Sequence, residues 1–285
     1  MSAIEATTTT EFRFTQAHFR ELSAMVEKLT GNNFPDSKQT LVYSRLVRRL
    51  RALGLQTFDE YCRLVKSPNG SEELHQMAEA LTTNVTKFFR EDHHFTHLKN
   101  KMLGPLIQRA KAGGRVRIWS AGCSSGQEPY SIALQILQAL PDARGYDIKI
   151  LATDFSTKVL DIGKRGRYPL EELSGIPADM RASWTDKFTE YFEIDEAARS
   201  LIQFKHLNLM DPWPMKGPFD VIFCRNVMIY FTQDIQSKLW ARMIALQPAD
   251  SVLYIGHSER ITGPATGKLV LDGITTYRKV ERASA

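Results

Sequence analysis

Along residues 13–82 apolar side chains recur at the three- and four-residue spacing of helices, and no alternating strand pattern interrupts them. Phe19, Leu22, Val26 and Leu29 form one stripe up to Gly31, and Phe14-Thr15 ahead of them has the form of a hydrophobic staple around an N-cap. Asp36-x-x-Gln39 predicts a capping box opening a second helix, whose stripe is Val42, Leu46, Leu50 and Leu53 and which Gly54 stops. Thr57-x-x-Glu60 opens a third, ended by Ser67-Pro68-Asn69-Gly70, and Ser71 starts a fourth running to about Leu81. After Lys111 the pattern changes. Arg115–Trp119 reads as a short strand, followed by the loop Ser120–Gly126 and a helix carrying Ile132, Leu134, Ile136, Leu137 and Leu140. Ile148–Ala152 reads as a strand closing on Thr153-Asp154-Phe155, and Asp220–Cys224 and Ser251–Ile255 as further buried strands. Val270–Leu271 and Thr275–Arg278, separated by Asp272-Gly273, predict a terminal hairpin.

Strands alternating with helices predict an α/β fold with a parallel sheet. Between Tyr168 and Asn208 there is too much chain for a simple crossover. There Tyr191–Ile194 and Leu201–Phe204 flank a polar turn, which predicts a small inserted subdomain with a hairpin. The expected organisation is a helical domain over 13–82 and a second domain over 83–280, with the insertion at about 168–206.

With 285 residues, 43% hydrophobic and 24% charged, the chain has the composition of a soluble globular protein, not of a disordered one. No apolar run approaches the roughly 18 residues that span a bilayer. Met1–Thr10 lacks the basic start and apolar core of a secretory signal, and Thr7–Thr10 is the one low-complexity run. Cys62, Cys123 and Cys224 are far apart with no C-x-x-C pair, as in a reducing compartment; the expected location is cytoplasmic. The net charge of +5 is too small to imply nucleic acid, but its distribution is uneven: Leu41–Gly54 holds Arg45, Arg48, Arg49 and Arg51 and no acidic residue.

Open α/β sheets bind ligands beyond the carboxyl ends of their strands. The first strand-to-helix loop contains Gly122 and Gly126, which allow close approach of a ligand to the backbone ahead of a helix N-terminus. Asp154 ends the second strand, where a carboxylate can accept from both ribose hydroxyls, so an adenosine cofactor is favoured. The loop lacks the G-x-G-x-x-G of dinucleotide sites, and Gly267-Lys268 fails the P-loop pattern at Thr262 and Leu269. A cofactor without phosphates needs neither device, and S-adenosylmethionine is such a cofactor; the same loop also suits a purely structural turn. His93, His94 and His97 find no carboxylate or cysteine partner at ligand spacing, so a solvated helix face is expected and no metal.

Several longer motifs then converge. Asn-Val-Thr-Lys-Phe-Phe-Arg-Glu (84–91), Ser-Ser-Gly-Gln-Glu-Pro-Tyr-Ser (124–131) and Phe-Cys-Arg-Asn-Val-Met-Ile-Tyr-Phe (223–231) resemble the CheR-type chemotaxis receptor methyltransferases. So do Tyr-Ser-Arg-Leu-Val-Arg-Arg-Leu-Arg-Ala-Leu-Gly (43–54) and Gly-His-Ser-Glu (256–259), in order, over about Phe19 to Tyr277. The resemblance implies a Rossmann-like class I S-adenosylmethionine methyltransferase sheet, a small all-helical N-terminal domain and an inserted antiparallel β-subdomain. It implies methyl transfer to glutamate side chains of a chemoreceptor's cytoplasmic helices, leaving S-adenosylhomocysteine. By matching motifs it places Asn84, Thr86, Arg90, Gly122 and Glu128 at the cofactor and Asp154 on the ribose. Asn208 and Leu209 fall beside the adenine, Arg225 and Asn226 at the methionyl end, and Arg90 and Tyr230 nearest the reacting methyl.

Each assignment has a structural competitor: Asp154 as a cap of the next helix, Glu128 as a complement to the helix dipole, Tyr230 as core, Arg225 as part of an ion pair. A glutamate carboxylate, with an ordinary pKa of about 4.3, is already ionised near neutrality and needs no general base. This suits a site without a catalytic histidine. Arg45, Arg48, Arg49 and Arg51 have no acidic i,i+4 partner, and a glutamate-rich receptor helix would relieve their mutual repulsion; the resemblance implies receptor docking there.

Family members that tether to a receptor's C-terminal pentapeptide carry a longer, glycine-bearing loop in the β-subdomain. Here the polar turn Asp195–Arg199 is short, leaving Arg199 and the hairpin edge as a weaker surface for that tail by strand addition. Two rival readings remain: a non-catalytic adaptor with a degenerate pocket, and a nucleic-acid methyltransferase. Against the second stands the absence of a [DN]-P-P-[YFW] loop, and no membrane insertion is expected.

Overall fold

A computed structural model describes residues 11–281; the threonine run 7–10 lies outside them. The chain divides into two compact units between Thr83 and Asn84.

The first unit consists of four helices, α1 (Gln16–Thr30), α2 (Gln39–Leu53), α3 (Phe58–Lys66) and α4 (Ser71–Leu81). Local sequence dictates most of their ends. Thr15 and His18 make a reciprocal capping box at α1, Thr57 and Glu60 another at α3, and Gly31 and Gly54 close α1 and α2 in the left-handed conformation. The box expected at Asp36 is not made. Residues 36–38 form a 3₁₀ turn leading into α2 without a side-chain cap, and Asp36 instead faces Arg20 at 3.8 Å. Of the expected stripes, Phe19, Leu22, Val26, Val42, Leu46 and Leu50 are fully buried and are joined by Phe58 and Met77; Leu29 is only partly buried, and Leu53, in the last turn of α2, is 39% exposed and lies outside the core.

The second unit is built on a seven-stranded sheet. Its strands are β1 (Val116–Ala121), β2 (Ile148–Asp154), β6 (Ile202–His206), β7 (Val221–Cys224), β8 (Val252–Ile255), β9 (Leu269–Gly273) and β10 (Thr276–Lys279). Their order is β6-β2-β1-β7-β8-β10-β9; the first five are parallel, and the β9–β10 hairpin adds antiparallel to β8. β1, β7 and β8 are buried along almost their whole length, as strands covered on both faces must be. From β1 the chain winds outward through β2 to β6, then returns to the other side of β1 as β7. The crevice between the carboxyl ends of β1 and β7 is therefore the topological switch point.

A second sheet, order β3-β5-β4, is inserted between β2 and β6: β3 (Arg167–Pro169), β4 (Thr185–Lys187) and β5 (Tyr191–Ile194), all antiparallel. Here the hairpin expectation is corrected. The segment from Ile202 does not pair with Tyr191–Ile194 but lies parallel to β2, Ile150 opposite Ile202 and Asp154 opposite His206. Asp195 caps a helical turn, Glu196–Arg199, that breaks the strand direction and lets the chain reach the open edge of β2. The hairpin turn of the inserted sheet is the three residues 188–190 between β4 and β5, with Phe188 N–H donating to the Tyr191 carbonyl. The short turn Asp195–Arg199 is thus not the loop on which the tether comparison depends.

Candidate functional site

The carboxyl edge of the main sheet gathers the sequence motifs. After β1 the chain hooks over β2: the amides of Gly122 and Cys123 both donate to the Thr153 carbonyl, at 2.8 and 2.9 Å. Gly122, Ser124 and Gly126 all have positive φ. A Cβ at Gly122 would sit 2.3 Å from a methyl of Val227, so glycine here is what lets the loops after β1 and β7 close on each other. The helix that follows, Gln127–Ala139, presents its N-terminus to this crevice.

Asp154 is only 9% exposed, and its two carboxylate oxygens accept from the amides of Ser124 (2.8 Å) and Ser156 (2.9 Å). Burial pushes its carboxyl above the usual range, and these amides partly counter the shift. It fixes the loop Gly122–Gly126 but does not cap the helix Thr157–Arg165, whose N-cap is Ser156 and which has no side-chain cap. The Asp154 carbonyl accepts from Leu207, which brings the end of β6 alongside; Asn208 there is buried and accepts from the Met210 amide. The Leu209 carbonyl is held by Trp213 and Arg242, with the Arg242 guanidinium stacked on Trp213.

Glu128 does more than complement a helix dipole. It accepts from Ser120 Oγ at 2.6 Å and from Arg225 Nε at 2.7 Å, with both side chains of the ion pair buried. The Arg225 guanidinium also donates to the Arg90 carbonyl and to His94 Nδ1 (3.2 Å), and lies against Phe95 and Phe223. Its side chain is 3% exposed, so it organises the floor of the site instead of projecting from it. The segment 84–91 lies across this edge: Ser124 Oγ donates to the Asn84 carbonyl, Ser131 Oγ accepts from the Phe89 amide, and Arg90 Nη1 donates to the Val85 carbonyl. Thr86 is half-buried on the same segment. Asn226 follows Arg225 at positive φ, and Tyr230 ends the turn Met228–Tyr230, half-buried, its hydroxyl without a hydrogen-bond partner among the described residues.

Ser120, Ser124, Glu91 and Glu259, to which the sequence assigns no role, join this network, and so does His94, expected on a solvated face. Glu259 accepts from the amides of Asn226, Val227 and Met228; its position in the motif 256–259 was the available signal. The histidines are not a solvated face. His94 is wholly buried, its Nε2 on Thr275 Oγ1, and His97 bridges Tyr254 and Asp272. Burial, then the Arg225 charge, pushes His94 down to about 2, so it is neutral. Nor does the expected lack of a carboxylate partner hold: Glu91, His93 and His94 bring ligand-type atoms within 4.8 Å of one another. The Arg225 guanidinium stands 4.0 Å from Glu91 Oε2 and 3.2 Å from His94 Nδ1, which places a positive charge beside this group.

The α2 arginines belong to the other unit and are mostly engaged there. Arg45 donates to the carbonyls of Leu81 and Thr82 (2.7 Å each) and to Thr83 Oγ1, completing the end of α4. Arg49 grips Glu73, which also accepts from Tyr61, and Arg51 pairs with Glu11. Arg48 is exposed with no ion pair among the described residues. The expected self-repulsion is therefore relieved inside the unit, by partners distant in sequence.

The family model "CheR methyltransferase, all-alpha domain" matches residues 17–82 and "CheR methyltransferase, SAM binding domain" matches 84–276. A probable chemotaxis protein methyltransferase of Rhizobium etli is 51% identical over 89% of this chain and 96% of its own length. Chemotaxis protein methyltransferase 2 of Pseudomonas aeruginosa is 41% identical over 87% and 88%. The chemotaxis protein methyltransferase of Escherichia coli is 37% identical over 94% and 93%. With its helical unit, its switch-point crevice and matches covering nearly all of both units, the chain belongs to the CheR family of S-adenosylmethionine-dependent methyltransferases.

Proposed function

We propose that the protein transfers a methyl group to glutamate carboxylates on the cytoplasmic helices of chemoreceptors, giving methyl esters in chemotactic adaptation. The observation that carries the reading is the buried Asp154 at the switch point, tied to the Ser124 amide in a glycine-bearing loop with no phosphate-binding pattern. The cofactor, S-adenosylmethionine, supplies a sulfonium methyl. Asp154 takes the ribose hydroxyls, Asn208 and Leu209 border the adenine, and Asn84, Thr86, Gly122 and Glu128 line or support the pocket. The turn Arg225–Asn226 holds the methionyl end, with Arg225 acting through its ion pair to Glu128.

The target carboxylate is an anion at neutral pH. One of its oxygens forms a bond to the methyl carbon as the carbon–sulfur bond breaks, and the departing thioether is neutral, so no proton moves. The protein's task is alignment and exclusion of water. Arg90 donates through Nη1 to the Val85 carbonyl and has Glu91 Oε1 4.0 Å from its Nε, which leaves Nη2 for orienting a carboxylate. Tyr230, whose hydroxyl is free of partners among the described residues, donates a single hydrogen bond near the methyl or packs against it.

Receptor docking falls to the exposed part of the α2 cluster, Arg48 and Arg51, while Arg45 and Arg49 hold the unit together. The outer strands of the inserted sheet, β3 and β4, are edges open to strand addition by a receptor tail. Among the described residues no helix is long and apolar enough to cross a membrane, in keeping with action from the cytoplasm on a receptor held in the membrane. Incubation with tritiated S-adenosylmethionine and receptor-containing membranes tests the proposal: base-labile methanol from receptor glutamates is expected. No label on the receptor, from protein that binds S-adenosylhomocysteine, refutes the substrate assignment; silence in both assays would favour the adaptor.

A further inference from the structure

The motif Gly256-His257-Ser258-Glu259 follows β8 and is not used by any role assigned above. Glu259 is 3% exposed, and no ion pair engages it among the described residues. Its carboxylate is held instead by four backbone amides. Oε1 accepts from Val227 (2.9 Å) and Met228 (2.7 Å), and Oε2 accepts from Asn226 (3.0 Å) and Gly256. The Glu259 amide returns a bond to the Gly256 carbonyl at 2.9 Å, closing the turn on itself.

Three of these four amides belong to the loop after β7, the strand adjacent to β8 with Cys224 opposite Ile255. They are consecutive and lie at the start of the turn that ends in Tyr230. Asn226 is among them, at φ 60, left-handed backbone that a residue other than glycine keeps where its surroundings hold it. Gly256 completes the clip, because a Cβ there would lie 2.6 Å from both the Asn226 amide nitrogen and Nδ2, and 2.8 Å from Glu259 Oε2. Buried amides without partners are costly, and a carboxylate offers four lone-pair directions where a neutral amide side chain offers two and adds donors of its own.

We infer that Glu259, with Gly256, is a positioning residue for methyl transfer: its carboxylate locks the Asn226–Tyr230 loop in the conformation that receives the methionyl end and sets Tyr230 at the acceptor. This rests on the site assignment under Proposed function. Glu259 touches neither cofactor nor substrate; it acts through the backbone of the residues that do.

Glu259→Gln in the full-length chain tests it. The substitution keeps the volume but turns N–H donors towards N–H donors. The measurements are far-UV circular dichroism and thermal unfolding, calorimetric affinity for S-adenosylhomocysteine, and kcat and KM for methylation of receptor-containing membranes, all at a temperature where the variant is folded. The expected result is a folded protein with affinity for S-adenosylhomocysteine weakened at least tenfold and kcat lowered more than the receptor KM is raised. Asp154→Ala is run beside it. If Asp154→Ala weakens binding while folded Glu259→Gln keeps wild-type affinity and kcat, losing only thermal stability, the clip is structural and the inference is overturned. If neither substitution changes affinity, the site assignment itself fails. Should Glu259→Gln not fold, Glu259→Asp keeps the charge one methylene short of the amides. A loss of kcat in that variant supports the inference, and wild-type kcat overturns it.

Discussion

The ion pair between Glu128 and Arg225 joins the helix after β1 to the end of β7 beneath the crevice, and the substitution Glu128→Gln removes its charge at nearly constant volume. In the native protein Arg225 Nε lies 2.7 Å from Glu128 Oε2, with side-chain exposures of 3% and 9%. Two unit charges at that separation attract by roughly 6 kcal/mol at an effective dielectric of about 20, before desolvation is set against it. Breaking a buried pair from one side costs about 3–5 kcal/mol, because the remaining charge stays buried. Here the low end applies. Arg225 would keep the Arg90 carbonyl, His94 Nδ1 and Glu91 Oε2 at 4.0 Å, and the introduced amide side chain would keep an acceptor for Ser120. A loss of about 3 kcal/mol in a unit of this size lowers the melting temperature by about 6–12 °C. Scanning calorimetry at pH 7.5 reads that shift. Adding Arg225→Met to Glu128→Gln should cost less than the two single losses summed, since no charge is then stranded. A Glu128→Gln protein melting within about 2 °C of wild type would refute the reasoning and reduce Arg225 to a cation held by neutral acceptors.

Asp154→Ala should weaken S-adenosylhomocysteine binding by about 1–3 kcal/mol, roughly 5- to 150-fold, through lost ribose bonds and a loosened Ser124 loop; unchanged calorimetric affinity counts against the ribose role. Arg48→Ala with Arg51→Ala should leave that affinity intact and lower receptor methylation, by a factor that shrinks as salt is raised. Normal methylation at low salt would remove docking from α2. Arg49→Ala, by contrast, strands the buried Glu73 and should appear first as a lower melting temperature. His94 titrates at about 2 when folded and near 6.5 when unfolded, so the unfolded chain takes up its proton first. Its contribution to stability is complete above about pH 6.5 and falls by about 1.4 kcal/mol per unit below it. Denaturant titrations at pH 7.5, 6.5 and 5.5 should show that slope, reduced in His94→Gln; a slope unaltered in the variant would reassign the dependence, for instance to His97, whose pKa burial also lowers.

The helical unit was legible because its information is local. Stripes at helical spacing, the N-cap at Thr15, the capping box Thr57–Glu60 and the glycines at 31 and 54 act within a few residues, and the structure keeps them except at the ends of the stripes, where Leu29 is partly buried and Leu53 exposed. Asp36 misled because a D-x-x-Q pattern is compatible with a cap but does not compel one, and here a 3₁₀ turn precedes the helix. The segment after Leu201 misled for a different reason. Whether a β-prone run pairs with its sequence neighbour or with a distant strand depends on which edge is open, and only the folded sheet offers the edge of β2. The arginines of α2 show the same limit, since Glu73 and the end of α4 are not visible from an i,i+4 rule.

By itself the sequence determined the division into a helical part and an α/β part, the strand-end acid at Asp154, the glycine loop and the family whose motifs it carries. Those features are periodicities and short patterns, written by neighbours along the chain. Only the tertiary structure decided that Arg225 lies under the site against Glu128, that His94 is neutral and buried, and that Glu259 grips the backbone after β7. The physical reason is that a buried charge is stable only where other segments supply its counter-ion or its hydrogen bonds, and those partners converge only once the strands of the sheet stand side by side.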